Sequence, residues 1–214
     1  VSETMADAGL DILRKAPGFE VVVQTAWAPG ELREKIRGFH ALMIRSATKV
    51  TAEVLESADA LRVIGRAGIG VDNIDQAAAS RKGVVVMNTP TGNTVTTAEH
   101  AIAMMMALAR KIPQATASMK AGRWEKKKLE GVELFEKTLG LIGLGNIGSL
   151  VARRALGLGM KVIAYDPFIA LERAAQLGVQ LVELEELFSR ADVISVHVPK
   201  SDQTRNLLRA ENFA

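Results

Sequence analysis

Short runs of apolar residues alternate along the chain with longer stretches in which apolar positions recur every three or four residues. This is the pattern of β-strands threaded between amphipathic helices. Before residue 91 the strand-like runs are 20–23 (EVVV), 41–46 (ALMIRS), 62–66 (RVIGR) and 84–88 (VVVMN). Helical spacing covers 5–15, 29–38 with Pro29 in its first turn, 51–57 and 73–82. A second alternation starts at Thr138, with strands expected at 138–142, 161–165, 179–182 and 192–198 and helices at 147–158, 170–177 and 184–190. Strands separated by helices pair in parallel through right-handed crossovers. The expected fold is therefore α/β, with two doubly wound parallel-sheet domains.

Between the two alternations lies one long helical pattern, opened by Asn93 and Thr94 as capping candidates and interrupted by Pro113. The domain boundary is set at its start, giving domains 1–91 and 92–214. Residues 101–109 (AIAMMMALA) read as a buried helix, and methionine and small apolar residues all round suggest burial between domains or subunits. A strand-like piece, 132–135 (VELF), follows.

Composition narrows the class. The 214 residues are enough for two small domains, and 48% apolar with 24% charged residues is ordinary for a globular protein. No apolar run approaches the roughly 18 residues of a membrane span, and no basic segment followed by an apolar one marks a secretory signal. With no cysteine, disulfide frameworks, thiolate nucleophiles and cysteine zinc sites are excluded, which fits a reducing cytoplasm. No metal site is expected. The net charge of +3 is slight, and the one dense basic run, RWEKKK (123–128), holds a single aromatic residue and reads as a solvated turn, so neither nucleic acid nor membrane is expected as a partner.

The most specific chemical signal is TLGLIGLGNIG (138–148), an apolar strand running into Gly143, Gly145 and Gly148 and then a helix. In that context the first glycine makes a tight turn, the second admits a pyrophosphate to the backbone and the third lets helix and strand pack closely. The N–H groups at Asn146 and Ile147 and the positive end of the helix dipole suit phosphate. Asp166, followed by Pro167, ends the next strand about 20 residues on, where an acid bonds ribose hydroxyls. A carboxylate there repels a ribose 2′-phosphate by about 1–4 kcal/mol at 4 Å. The cofactor expected is NAD.

In the first domain Arg45 and Ser46 follow one strand and Arg66 ends another, all at carboxyl ends, where doubly wound sheets bind ligands. Two arginines suit a phosphate or carboxylate, and the turn 67–70 (AGIG) can offer backbone N–H groups to an anion.

RSATKVT (45–51), RAGIGVDN (66–73), IPQATASMKAGRWEKKK (112–128), the glycine turn, YDP (165–167) and ISVHVPK (194–200) together resemble the NAD-dependent D-2-hydroxyacid dehydrogenases, over nearly the whole chain. The resemblance implies a flavodoxin-like substrate domain and a Rossmann NAD-binding domain in a cytoplasmic homodimer or homotetramer. It points to the members that oxidise 3-phospho-D-glycerate at the entry to serine synthesis. By the same resemblance Gly143, Gly145, Asn146, Ile147, Gly148, Asp166 and Pro167 hold NAD. His197, Val198 and Pro199 pack on the cofactor, and Ile69 stands at the nicotinamide side where many relatives have threonine. Arg45, Ser46, Arg66, Gly68 and Gly70 contact substrate.

The family draws its catalytic arginine, glutamate and histidine from later segments whose motifs are not found here, so no catalytic residue is assigned. His40 is expected to be exposed, His100 packed and His197 on the cofactor side. Beginning inside what looks like a strand and ending with 192–198 at an open sheet edge, the chain reads as a piece of a longer polypeptide that binds NAD without turnover. Two other readings stay open: a dehydrogenase of glyoxylate, hydroxypyruvate or another small 2-hydroxy acid, and a non-catalytic NAD-sensing scaffold.

Overall fold

The computed structural model describes residues 1–213 apart from Ala26 and Pro29 and divides into two units, Val1–Asn93 and Thr94–Ala214. The expected proline in the first turn of the second helix falls on Pro29 and so lies outside the described residues.

The first unit runs α1 (Asp7–Lys15), α2 (Glu31–Lys35), β1 (Ala41–Ile44), α3 (Ala52–Ser57), β2 (Val63–Arg66), α4 (Gln76–Arg81) and β3 (Val85–Asn88). Its strands pair in parallel in the order β1-β2-β3, with Ile44 opposite Arg66 and Arg66 opposite Asn88. Ile44, Val50, Leu55, Ala58, Ile64 and Ala79, each at most 1% exposed, fill the core between this sheet and its helices. Residues 20–23 form no strand, contrary to the sequence pattern, and Val22 and Val23 are exposed. The chain there still runs alongside the sheet: Gln24 N–H donates to the Val1 carbonyl at 3.0 Å, and Ser2 N–H to the Met43 carbonyl at 3.0 Å. Residues 1–2 thus lie on the free side of β1, and the chain beyond residue 20 lies outside them. This is the neighbour order of a flavodoxin-like sheet.

In the second unit α5 (Thr94–Ala109) and α6 (Ile112–Lys120) precede β4 (Thr138–Ile142), α7 (Asn146–Gly157), β5 (Lys161–Tyr165), α8 (Leu171–Gln176), β6 (Gln180–Leu181), α9 (Leu184–Arg190) and β7 (Val193–Val196). The parallel order is β6-β5-β4-β7. Buried on both faces, β4 and β5 carry the near-continuous apolar runs such strands need, and Leu139, Leu141 and Ala164 are 0% exposed.

Several expectations fail here. The long helical pattern breaks before Pro113: Lys111 takes a left-handed conformation (φ 51°), and the proline then sits in the first turn of α6, where its missing N–H costs no helical bond. Residues 132–135 form no strand; Leu134 is buried while Phe135 is 61% exposed. The 101–109 stretch is not buried all round, since Met105 is covered but Met104 and Leu108 are 59% and 72% exposed. His100 on the same helix is likewise exposed, not packed. Among the described residues no helix is long and apolar enough to cross a membrane, and no group of three or more acidic or histidine side chains could hold a metal ion.

Candidate functional site: a phosphate cradle and an anion loop

Each unit gathers its candidate residues where the strand order reverses, the place at which doubly wound sheets bind ligands. In the second unit that place lies between β4 and β7. Gly143, directly after β4, has φ +94° and donates its N–H to the Tyr165 carbonyl at 2.9 Å. A Cβ on Gly143 would lie 2.7 Å from the His197 carbonyl oxygen and 2.8 Å from Val198 Cγ1, so the chain leaving β7 presses directly on the turn. His197 N–H donates to the Ile142 carbonyl at 2.8 Å and fixes that approach.

The turn then enters α7. A Cβ on Gly148 would stand 2.1 Å from the Gly143 carbonyl oxygen, whereas one on Gly145 would meet nothing within 4 Å. Packing therefore demands glycine at 143 and 148, and at 145 it leaves open space over the helix start. The two helix ends of interest differ in their caps. The Asp75 side chain caps α4 through the Ala78 N–H at 2.8 Å, but α7 has no side-chain cap at Gly145. The first-turn N–H groups of α7, at Asn146, Ile147 and Gly148, are left for an external anion. Ser149 Oγ donates to the Leu144 carbonyl at 2.8 Å and closes the loop from behind.

Asp166, the residue after β5, is half-buried and bridges two segments. One carboxylate oxygen accepts the Leu144 N–H at 2.7 Å and the other the Phe168 N–H at 2.9 Å. Each oxygen keeps a lone pair for a further hydroxyl donor. Pro167 and Pro199 are exposed, and His197 and Val198 are half-buried. His197 Nε2 lies 2.9 Å from Ser195 Oγ, and burial lowers its pKa below the ordinary value. The open space at Gly145, the uncapped helix and the acid tied to the same turn together fit a dinucleotide.

The candidate anion loop of the first unit follows β1 and is held by Glu3. Arg45 and Ser46 follow β1, and both are exposed. Arg66 ends β2 but is not free in the crevice: its Nε donates to the Arg45 carbonyl at 3.3 Å, and its Nη1 donates to the Gly70 carbonyl. Gly68 permits this fold-back, because a Cβ there would sit 2.9 Å from Arg66 Nη1. Part of the expected nest is used internally, the Ala67 N–H on the Ile44 carbonyl and the Gly68 N–H on the Arg66 carbonyl, both at 2.9 Å. Among the described residues the Ile69 and Gly70 N–H groups have no acceptor, while the Ile69 carbonyl takes the Asn88 amide at 2.7 Å. Arg45 lines two hollows of this unit. One, of about 460 Å³, is shared with Gly68, Thr89 and Asn93, and the other, of about 920 Å³, with Glu3, Arg33, Lys49 and Glu53.

The sequence missed several residues here. Glu3 accepts the backbone N–H groups of Arg45, Thr48 and Ala47 at 2.8, 2.9 and 3.1 Å. Asn73, expected within a helix, instead donates from Nδ2 to the Arg45 and Thr48 carbonyls at 2.8 and 2.7 Å. No local pattern signals either contact. The Ser195 and His197 pair carried a faint signal, since residues two apart on a strand share a face.

A family model described as D-isomer specific 2-hydroxyacid dehydrogenase, NAD binding domain, matches residues 102–214. D-3-phosphoglycerate dehydrogenase of Synechocystis sp. is 51% identical over all of this chain, which spans 38% of that relative's length. Among solved structures, the TT0316 protein of Thermus thermophilus is 34% identical with a TM-score of 0.90, covering 99% of this chain and 68% of its own. D-lactate dehydrogenase of Aquifex aeolicus, solved with NAD and lactic acid, is 28% identical with a TM-score of 0.80, covering 90% of this chain and 58% of its own. The second unit is therefore an NAD-binding domain of that family, on the Rossmann fold. The chain belongs to the D-isomer specific 2-hydroxyacid dehydrogenases.

Proposed function

We propose that the whole protein to which this chain belongs oxidises 3-phospho-D-glycerate to 3-phosphooxypyruvate with NAD, the entry reaction of serine biosynthesis, in the cytoplasm. NAD supplies the acceptor for the hydride leaving C2 of the hydroxy acid, and the reaction yields NADH and a proton. The N–H groups of Asn146, Ile147 and Gly148 bind the pyrophosphate across the open face of Gly145. Asp166 accepts the adenosine ribose hydroxyls. Pro167, His197, Val198 and Pro199 line the cofactor, and Gly143 sets the turn. Ile69 lies at the nicotinamide side, where its apolar side chain offers no hydrogen bond. Arg45, Ser46, Arg66 and the backbone of Gly68 and Gly70 hold the substrate's anionic groups.

The observation that supports the substrate reading is the joining of Arg45 and Arg66 in one loop cluster: Arg66 Nε sits on the Arg45 carbonyl at 3.3 Å and Nη1 on the Gly70 carbonyl, and among the described residues its Nη2 donors have no partner and remain for a ligand. Two guanidiniums in one cluster match a substrate with both a carboxylate and a phosphate better than one with a carboxylate alone. The name carried by the 51% identical relative agrees. Calorimetric titration of this chain with 3-phosphoglycerate and with glycerate tests the reading. Stronger binding of the phosphorylated acid is expected, and equal binding shifts the assignment to an unphosphorylated 2-hydroxy acid such as glyoxylate or hydroxypyruvate in its reduced form.

The assembly proposed is a homodimer or homotetramer. Met104 and Leu108, one helical turn apart on α5 and 59% and 72% exposed, support it.

A further inference from the structure

We infer that Glu3 is a positioning residue for the anion loop: its carboxylate, gripping the backbone N–H groups of Arg45, Ala47 and Thr48, fixes the direction in which Arg45 and Ser46 meet a phosphorylated ligand. The inference rests on the substrate reading above.

The geometry is that of a clamp closed from two sides. On the N–H side Glu3 takes three donors of the loop, skipping Ser46, at 2.8 to 3.1 Å. On the carbonyl side Arg45 receives Asn73 Nδ2 at 2.8 Å and Arg66 Nε at 3.3 Å. The main chain of Arg45 is therefore held at both ends of its peptide units while its side chain stays exposed. Ser2, itself 2% exposed, anchors the clamp by donating its N–H to the Met43 carbonyl and by a 3.0 Å hydroxyl contact with Thr48.

A carboxylate at this position has a cost as well as a use. It sits beside a site meant for anions, where a negative charge opposes the ligand. Three charge-assisted backbone bonds occupy most of its acceptor sites and direct its charge into the loop amides. Burial pushes the Glu3 carboxyl up, and the backbone bonds from Thr48, Arg45 and Ala47 outweigh burial and hold it below the ordinary value. Among the described residues the Ser46 N–H, the one the clamp skips, has no acceptor, and it is left to the ligand together with the Ser46 hydroxyl. A neutral side chain of the same shape does not reproduce this, because a glutamine presents an NH2 group to a row of N–H donors.

The test compares the 214-residue chain with its Glu3→Gln and Glu3→Ala variants, titrated with 3-phosphoglycerate, glycerate and NADH. Thermal melts serve as the control for folding. For Glu3→Gln we expect 3-phosphoglycerate affinity to fall at least about tenfold, glycerate affinity to fall less, and NADH affinity to stay unchanged. Amide proton resonances of Arg45, Ala47 and Thr48 should move in the same variant. Unchanged 3-phosphoglycerate affinity in both variants, with the wild type binding it, overturns the positioning role alone. Equal losses for all three ligands, with a lowered melting temperature, overturn it in favour of a purely structural role. A wild-type chain that binds NADH but not 3-phosphoglycerate overturns the substrate reading, and this inference with it.

Discussion

The carboxylate of Asp166 accepts the backbone N–H of Leu144 at 2.7 Å, so the acid that ends β5 and the glycine turn that ends β4 are a single rigid piece. A ribose bound to one is registered against a pyrophosphate bound to the other. On the proposed ribose role, removing Asp166 acts twice, by deleting a ribose acceptor and by loosening the turn. Asp166→Ala is expected to weaken NADH binding at least about tenfold and to narrow the preference over NADPH, since the repulsion of a 2′-phosphate goes with the charge. Fluorescence titration with both cofactors measures it, and an unaltered ratio of the two affinities would count against the ribose role.

Two glycines of the turn separate packing from ligand binding. Gly148→Ala forces a Cβ to within 2.1 Å of the Gly143 carbonyl oxygen, an overpacking that should destabilise the unit by about 1–3 kcal/mol in denaturant titration. Gly145→Ala meets no protein atom within 4 Å, and its φ of −68° suits any residue. Its stability should match the wild type while NADH affinity drops.

Arg66→Ala should reduce 3-phosphoglycerate affinity about tenfold to a hundredfold and glycerate affinity far less. Arg66→Lys is expected to rescue little of this, because the guanidinium donates at once to the carbonyls of Gly70 and Arg45 and an ammonium has no planar fork to do so. Competition binding with the two acids decides it.

His197 supplies a pH test. Burial lowers its folded pKa below 6.5, so just under that pH the unfolded chain binds the proton first. Stability must then fall as the pH drops through this window and be recovered above it. The decline below pH 6.5 should be shallower in His197→Gln, in denaturation curves recorded at each pH.

The assembly proposal rests on one face of α5. Leu108→Glu puts a charge on a side chain that is 72% exposed, so the fold of the unit should survive. The whole protein should then sediment as smaller species. An unchanged sedimentation coefficient would remove this face from the interface.

Parallel strands covered on both faces announced themselves in the sequence. LGLI and VIA, within β4 and β5, read as strands because nothing along them meets water. Residues 20–23 are richer still in β-branched residues and form no strand, because a run of valines does not say whether a neighbour supplies the ladder. The break at Lys111 was hidden for a different reason: the helix is ended by one backbone torsion, and the visible proline lies two residues further on. In the site, the glycine turn and Asp166 were legible since their spacing is local. Glu3 was not. Its contact spans 42 residues to reach Arg45, and such a side chain to backbone bond leaves no trace in periodicity. Asn73 was misread as helical because its side chain, which decides its role, also works across 28 residues.

That reach has a consequence for the order of events during folding. The loop around Arg45 takes its shape from Glu3, far upstream, from Arg66 at the end of β2 and from Asn73 beyond it, so every contact that shapes it joins residues distant in sequence. Pairings of that kind form late and slowly. On the proposed substrate reading, a phosphorylated ligand grips only the completed loop, so it is expected to slow unfolding of the native unit and to leave its rate of formation nearly unchanged, in unfolding and refolding kinetics recorded with and without 3-phosphoglycerate.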